Sequence, residues 1–167
     1  MTKFKEIDAE MITDNTFKLI GKDWMLITAG NRTSFNTMTA AWGGFGIMWQ
    51  KKVIWCVIRP NRYTYEFMEK SSFFTLSFFE EKHRDILTYC GSKSGRNVDK
   101  VKETGLTPVF GEKTVYFEEA QLVLECKKIY FQDLMPAHFM VPEIEELYPQ
   151  KDYHRMFFGE IIKCFSK

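Results

Sequence analysis

Apolar and polar positions alternate along several short stretches of this chain, and strand-length runs outnumber helical ones. Trp24 to Ala29, Val53 to Ile58 and Phe73 to Phe78 are β-branched or aromatic runs, and Val115 to Phe117 and Gln121 to Phe131 read the same way. Within Gln121 to Phe131 the period of two puts Leu122, Leu124 and Cys126 on one face, with Glu125 and Lys127 on the other. Met156 to Phe165 predicts a last strand, with Phe157, Gly159, Ile161, Lys163 and Phe165 on one side and Phe158, Glu160, Ile162 and Cys164 opposite. Strands at this spacing predict a closed or nearly closed antiparallel barrel.

Helices enter as short insertions. Tyr63 to Lys70 places Tyr63 and Phe67 on one face, and His83 to Tyr89 buries Ile86 and Leu87. Val98 to Thr104 has Asn97 to cap it, Gly105 to end it and Pro108 to stop continuation. Pro142 to Tyr148 begins with proline and carries Glu143, Glu145 and Glu146 early. The fold class is therefore a β-dominated α+β protein, an antiparallel barrel with short peripheral helices. No linker or repeat divides residues 1–167, so one domain is expected.

Composition narrows the function. An apolar share of 45% with 16 Phe, 7 Tyr and 4 Trp excludes a disordered chain. The formal charge of +1 provides no global field for nucleic acid or an acidic membrane. No run is long enough to span a bilayer, and Met1 to Glu6 lacks a secretion signal's apolar core. Cys56, Cys90, Cys126 and Cys164 are widely spaced, which suits reduced structural thiols in a cytoplasmic protein. Three scattered histidines give no metal-binding spacing, and no nucleophile elbow is present.

Two segments carry candidate chemistry. In Arg59-Pro60-Asn61-Arg62-Tyr63-Thr64, two guanidinium groups and a hydroxyl flank a helix start, which suits either a phosphate clamp or ordinary surface ion pairs. Lys93 to Lys100 is a second loop that feeds a helix, with Lys93, Ser94 and Lys100 as donors. In Asn36-Thr37-Met38-Thr39-Ala40-Ala41-Trp42-Gly43-Gly44, Asn36 and Thr39 offer polar edges and Trp42 an aromatic face. That set fits a flavin ring; a glycine-bearing strand with a core tryptophan fits equally. His138, in a loop before Pro142, is placed to stack on a flavin or hydrogen-bond to it.

From Trp24 onward, the Asn36 to Gly44, Ile58 to Phe67 and Ser94 to Thr107 motifs together resemble the flavin reductase-like family, the FMN-binding split β-barrels that include flavoredoxins. The resemblance implies FMN as cofactor and carries Asn36, Trp42, Thr64, Lys100 and His138 over to its site; Thr37, Met38, Thr39, Ala40, Arg59, Arg62 and Ser94 complete the expected flavin-binding set. It implies a homodimer with the flavin near the subunit interface, flanked by an aromatic among Tyr153, Phe157 and Phe158. It also implies hydride transfer from a reduced nicotinamide to the flavin N5, or electron delivery by a redox protein. Ala41 stands where many relatives carry serine, and Asn97 where aspartate is frequent. A flavin electron carrier without catalysis, or a flavin-free module that binds another phosphate, are the competing readings.

Overall fold

The computed structural model describes residues 3–167, so the first two residues of the Met1 to Glu6 segment lie outside the described residues. Ten strands follow one another as β1 (Lys5–Ile7), β2 (Met25–Gly30), β3 (Phe35–Ala40), β4 (Gly43–Met48), β5 (Lys51–Ile58), β6 (Phe73–Phe78), β7 (Pro108–Phe110), β8 (Val115–Phe117), β9 (Leu122–Asp133) and β10 (Arg155–Ser166). The main sheet is antiparallel and ordered β3-β2-β6-β9-β10-β5-β4, with β1 added on β10. Its edge strands β3 and β4 are consecutive in the chain yet do not pair, so the barrel stays unclosed at that seam.

Strand β2 explains the layering. Its alternate residues Met25, Ile27 and Ala29 enter the barrel interior with Ile54, Phe74, Leu124 and Phe157. Leu26 points outward into a second core with Leu87, Cys90, Leu106, Phe117 and Val123. Both faces of this strand are therefore buried, which accounts for its nearly unbroken apolar sequence. The outer core is roofed by α3 (Arg84–Ser92), α4 (Lys100–Thr104) and the β7–β8 hairpin. Burial of each large apolar side chain in these two layers is worth roughly 1.5–3 kcal/mol.

The remaining helices are α1 (Thr16–Lys18), which runs into a π-helical turn over Leu19–Asp23, and α2 (Tyr63–Lys70). Two expectations need correction. The helix predicted from Val98 begins at Lys100, because the chain first turns back on Ser94 and Asp99, rather than Asn97, caps the helix through Lys102 N–H. The helix predicted over Pro142 to Tyr148 is a 3-10 helix, Pro142–Leu147.

In β10 the expected alternation also fails. Cys164 shares the inner core with Phe157, although strict alternation separates them. Register shifts against β9 at Phe158/Gly159 and Ile161/Lys163 change the phase of the strand, as β-bulges do.

All four cysteines are buried and unbridged. Burial raises the thiol pKa of Cys56 to about 12 and those of Cys90 and Cys164 to about 11, which keeps them protonated and unreactive. Among the described residues, no helix is long and apolar enough to cross a membrane.

Candidate functional site

The edge strand β3 organises the candidate site, because its inward row Asn36, Met38 and Ala40 runs from α2 towards Trp42. At its first end, Asn36 is only 7% exposed and its Nδ2 donates to Thr64 Oγ1 at 2.8 Å. That bond fills an acceptor position on the Thr64 hydroxyl and leaves its proton free to donate outward. Thr64 lies in the first turn of α2, whose N-cap residue, Arg62, supplies no side-chain cap. The first N–H groups of the helix and its positive dipole end therefore face the same space.

Lys100 approaches from the other side. It is 6% exposed, and its Nζ donates to Thr37 O and Cys90 O, each at 2.7 Å. A lysine ammonium has three N–H groups, so one remains beyond these two carbonyls. Burial lowers the Lys100 pKa, and nearby Arg62 lowers it further, so an anion placed here relieves both.

Between these groups lies a cavity of about 100 Å3, lined by Asn36, Met38, Arg62, Thr64, Ser94 and Lys100 among others. Arg62, Lys93 and Lys100 bring three cations to its wall, and no carboxylate lines it. Gly95 forms part of that wall, and a Cβ there would overlap Asn36 Oδ1 and crowd the Tyr63 ring. The donor set and the confined volume fit a phosphate group.

The other end of β3 is chemically different. Residues Asn36 to Ala40 advance about 3.3 Å each, so the two ends lie on the order of 13 Å apart. Trp42 is half exposed, and its ring sits 5.0 Å from His154, centroid to centroid. Tyr148 Oη and His154 Nδ1 are hydrogen-bonded at 2.8 Å. Burial, helped by Arg59, brings the His154 pKa down to about 4, so the ring is neutral at physiological pH.

Arg59 belongs to this end and is paired there. Its Nη1 donates to Asp152 Oδ1 and its Nη2 to Leu147 O, both at 2.8 Å, while the guanidinium lies 4.9 Å from the Tyr148 ring centroid. Asn61 Nδ2 donates to the second oxygen of the same carboxylate at 3.0 Å. Asp152 thus neutralises Arg59, and the hydrogen bond from Arg59 holds the carboxyl pKa below its usual range.

The structure therefore gathers Asn36, Met38, Arg62, Thr64, Ser94 and Lys100, and it sets six others apart from that cavity: Trp42 and Arg59 at the other end, and Thr37, Thr39, Ala40 and His138. Asn36 itself lines the small cavity and bonds to Thr64. The Thr39 hydroxyl is committed to Leu87 O at 2.5 Å. Thr37 donates to Ile27 O at 3.2 Å and meets Thr28 Oγ1 at 2.8 Å, so only its backbone faces the site. Ala40 packs against the inner core. His138 is exposed in a 3-10 turn, Pro136–His138, and the next residue, Phe139, stacks on Tyr148.

Among the candidate flanking aromatics, Phe157 is wholly buried in the core and Phe158 stacks on Trp55. Tyr153 alone packs on Tyr148 beside His154. The residues missed from sequence are His154, Tyr148 and Asp152. Their available signal is the Asp152-Tyr153-His154 run directly before the last strand. Among the described residues, no three His, Cys, Asp or Glu side chains converge as metal ligands would.

A family profile described as the flavin reductase like domain matches residues 18–165. The chain belongs to that family. Its fold is shared with the flavoredoxin of Desulfovibrio vulgaris (Miyazaki F), which is 28% identical over 86% of this chain and 69% of that one, at a TM-score of 0.67. It is shared too with an FMN-binding domain of a flavin reductase-like enzyme from Shewanella baltica OS155, 18% identical over 98% and 77%, at 0.71. An NADH:FAD oxidoreductase of Streptomyces globisporus C-1027 is 16% identical over 87% and 75%, at 0.64. No curated protein sequence matches the chain. The unclosed antiparallel sheet with short helices is the split barrel of these relatives.

Proposed function

We propose that this member of the flavin reductase-like family binds a flavin carrying a 5′-phosphate, of which FMN is the smallest, and works as an NAD(P)H-dependent reductase of flavin or another acceptor. The observation that carries the reading is the small cavity with Arg62, Lys93, Lys100 and the Asn36-oriented Thr64 hydroxyl, unopposed by any carboxylate. Those groups bind and orient a phosphate through charge-assisted hydrogen bonds. The row Met38, Ala40, Trp42 then leads the rest of the ligand along β3 towards His154.

A bound flavin supplies the redox chemistry, accepting a hydride from a reduced nicotinamide and passing electrons on. The chain's part is to fix the ring and tune its surroundings. Trp42 and Tyr148 exclude water on one side, and His154 offers a neutral, oriented imidazole. When the Tyr148 hydroxyl donates to Nδ1, the histidine proton sits on Nε2 as a donor. The Asp152–Arg59 pair places a compensated charge behind this set, so no strong field acts on the ring.

The functional unit proposed is a homodimer. Ile47 and Trp49 on the β4–β5 hairpin and Tyr130 on β9 are exposed, and the Trp49 ring packs against Tyr130, so they offer apolar surface to a second copy.

The test is comparative binding. Purified protein should bind FMN at least tenfold more tightly than riboflavin, and Arg62→Ala should remove that preference while sparing riboflavin. Equal affinities in the unaltered protein would sink the phosphate assignment. Steady-state NADH or NADPH oxidation with bound flavin marks a reductase; flavin binding without it leaves an electron carrier.

A further inference from the structure

A cavity of about 180 Å3 opens on the outer face of the main sheet, beside the β7–β8 hairpin, and shares no lining residue with the cationic cavity at β3. Strands β6, β9 and β10 supply one wall, and the hairpin turn Gly111 to Thr114 supplies another. Glu125 stands between them. Its side chain is only 7% exposed, and the one donor it meets among the described residues is the Thr114 hydroxyl, on Oε1. Its Oε2 takes no hydrogen bond and is not sealed from solvent, so it opens into the cavity. Lys163, the cross-strand neighbour on β10, is exposed at the rim and closes no ion pair with it. A carboxylate so buried costs free energy until a cation or further donors reach it.

The turn is shaped around this group. Gly111 N–H donates to Thr114 O at 3.0 Å, and a Cβ on Gly111 would lie 2.6 Å from both Glu125 Oε1 and Thr114 Oγ1. The remaining wall is aromatic and suits an organic cation. Tyr116 and Phe165 stack with centroids 5.7 Å apart, and the Lys113 ammonium already lies 5.1 Å from the Phe73 ring centroid. Charge then narrows the ligand. The negative charge of Glu125 is deep, whereas Lys113 and Lys163 are exposed at the rim, so a plain amine would meet attraction below and repulsion above.

We infer that this cavity binds a small zwitterion of the α-amino-acid class: its ammonium donates to Glu125, its carboxylate meets Lys113 and Lys163, and its apolar side chain lies against Ile162 and Phe165. The volume is below the usual range for drug-sized ligands, which limits the occupant to a single amino acid. The site is independent of the flavin reading.

Titration calorimetry of the full chain with leucine, methionine and phenylalanine tests this. At least one should bind saturably at millimolar concentration, and the amine left when that amino acid loses its carboxylate should bind at least tenfold more weakly. Glu125→Gln keeps a partner for Thr114 and should weaken the amino acid at least tenfold, as loss of a charge-assisted hydrogen bond does. Lys163→Met, on the exposed rim, should weaken it by a smaller factor. The urea midpoint of ligand-free Glu125→Gln should not fall, since the change removes an uncompensated buried charge. No binding by any of the three amino acids overturns the inference, and so does binding that Glu125→Gln leaves unchanged. An amine that binds as tightly as its amino acid overturns it by leaving the lysines without a role. A lowered urea midpoint in Glu125→Gln overturns it as well, by making the carboxylate a structural partner of Thr114.

Discussion

The two ends of β3 differ in almost every physical respect. At Asn36 the side chains of Asn36, Thr64 and Lys100 are buried and hydrogen-bonded, Arg62 and Lys93 stand exposed at the rim, and no carboxylate lines the cavity. At Trp42 the rings are partly open, Arg59 is neutralised by Asp152, and His154 is held uncharged. The first arrangement suits anchoring, since fixed donors in a low-dielectric wall bind an anion without reorganising. The second suits exchange, since a neutral aromatic surface open to solvent admits a second molecule. One strand thus separates holding a ligand from reaching it.

The sharpest way to break this contrast is at Lys100. Lys100→Met removes the charge and leaves the carbonyls of Thr37 and Cys90 without their donor. Affinity for FMN should fall at least a hundredfold, and urea unfolding should register a loss of roughly 1–3 kcal/mol. The same dialysis on Arg59→Ala provides the control from the other end. The FMN-to-riboflavin ratio should not move, because Arg59 is already spent on Asp152 and Leu147. A ratio that collapses in Arg59→Ala would erase the distinction between the ends.

A second experiment asks whether the open end is completed by another copy of the chain. Trp49 holds a left-handed backbone (φ 51°) at the β4–β5 turn, and its ring packs with Tyr130 and Phe158 on the outer face of the sheet. A bulky residue in that conformation is costly, which suggests that the exposed ring has a use. Trp49→Lys should convert a dimer to a monomer in sedimentation experiments and weaken flavin binding about tenfold. A monomer in the unaltered protein, at the same flavin affinity, would show that each chain binds alone.

What the sequence revealed divides along the same line. The apolar strands β2, β5, β6, β9 and β10 are legible because burial on a pleated sheet imposes a period of two or a continuous apolar run. Strand β3 is not. Its residues Asn36, Thr37 and Thr39 are polar and form no apolar run, so they read as a ligand segment whose internal geometry stays hidden. Asn36 and Thr64 are 28 positions apart, and Arg59 and Asp152 are 93, so their partnerships depend on strand order rather than on motif. That is why Arg59 and Arg62, three residues apart on one turn, look equivalent in sequence and diverge in space. The bulges of β10 are equally silent, since one shifted register leaves no residue signature.

The smallest expected effect concerns His154 and acid. The unfolded chain takes up a proton on this imidazole near pH 6.5, whereas the folded chain refuses it until about pH 4. Between those values the unfolded state binds more protons, so stability falls as pH drops through that window and is fully retained above it. The separation corresponds to at most about 3 kcal/mol, less where local opening admits water. His154→Gln keeps a hydrogen-bonding group beside Tyr148 and cannot titrate. Its urea midpoint should change less between pH 7 and pH 4.5 than that of the unaltered protein, with anchoring of the flavin phosphate intact at pH 7. If both proteins lose stability in parallel, the neutral imidazole is no part of what distinguishes the Trp42 end, and other groups set its acid response.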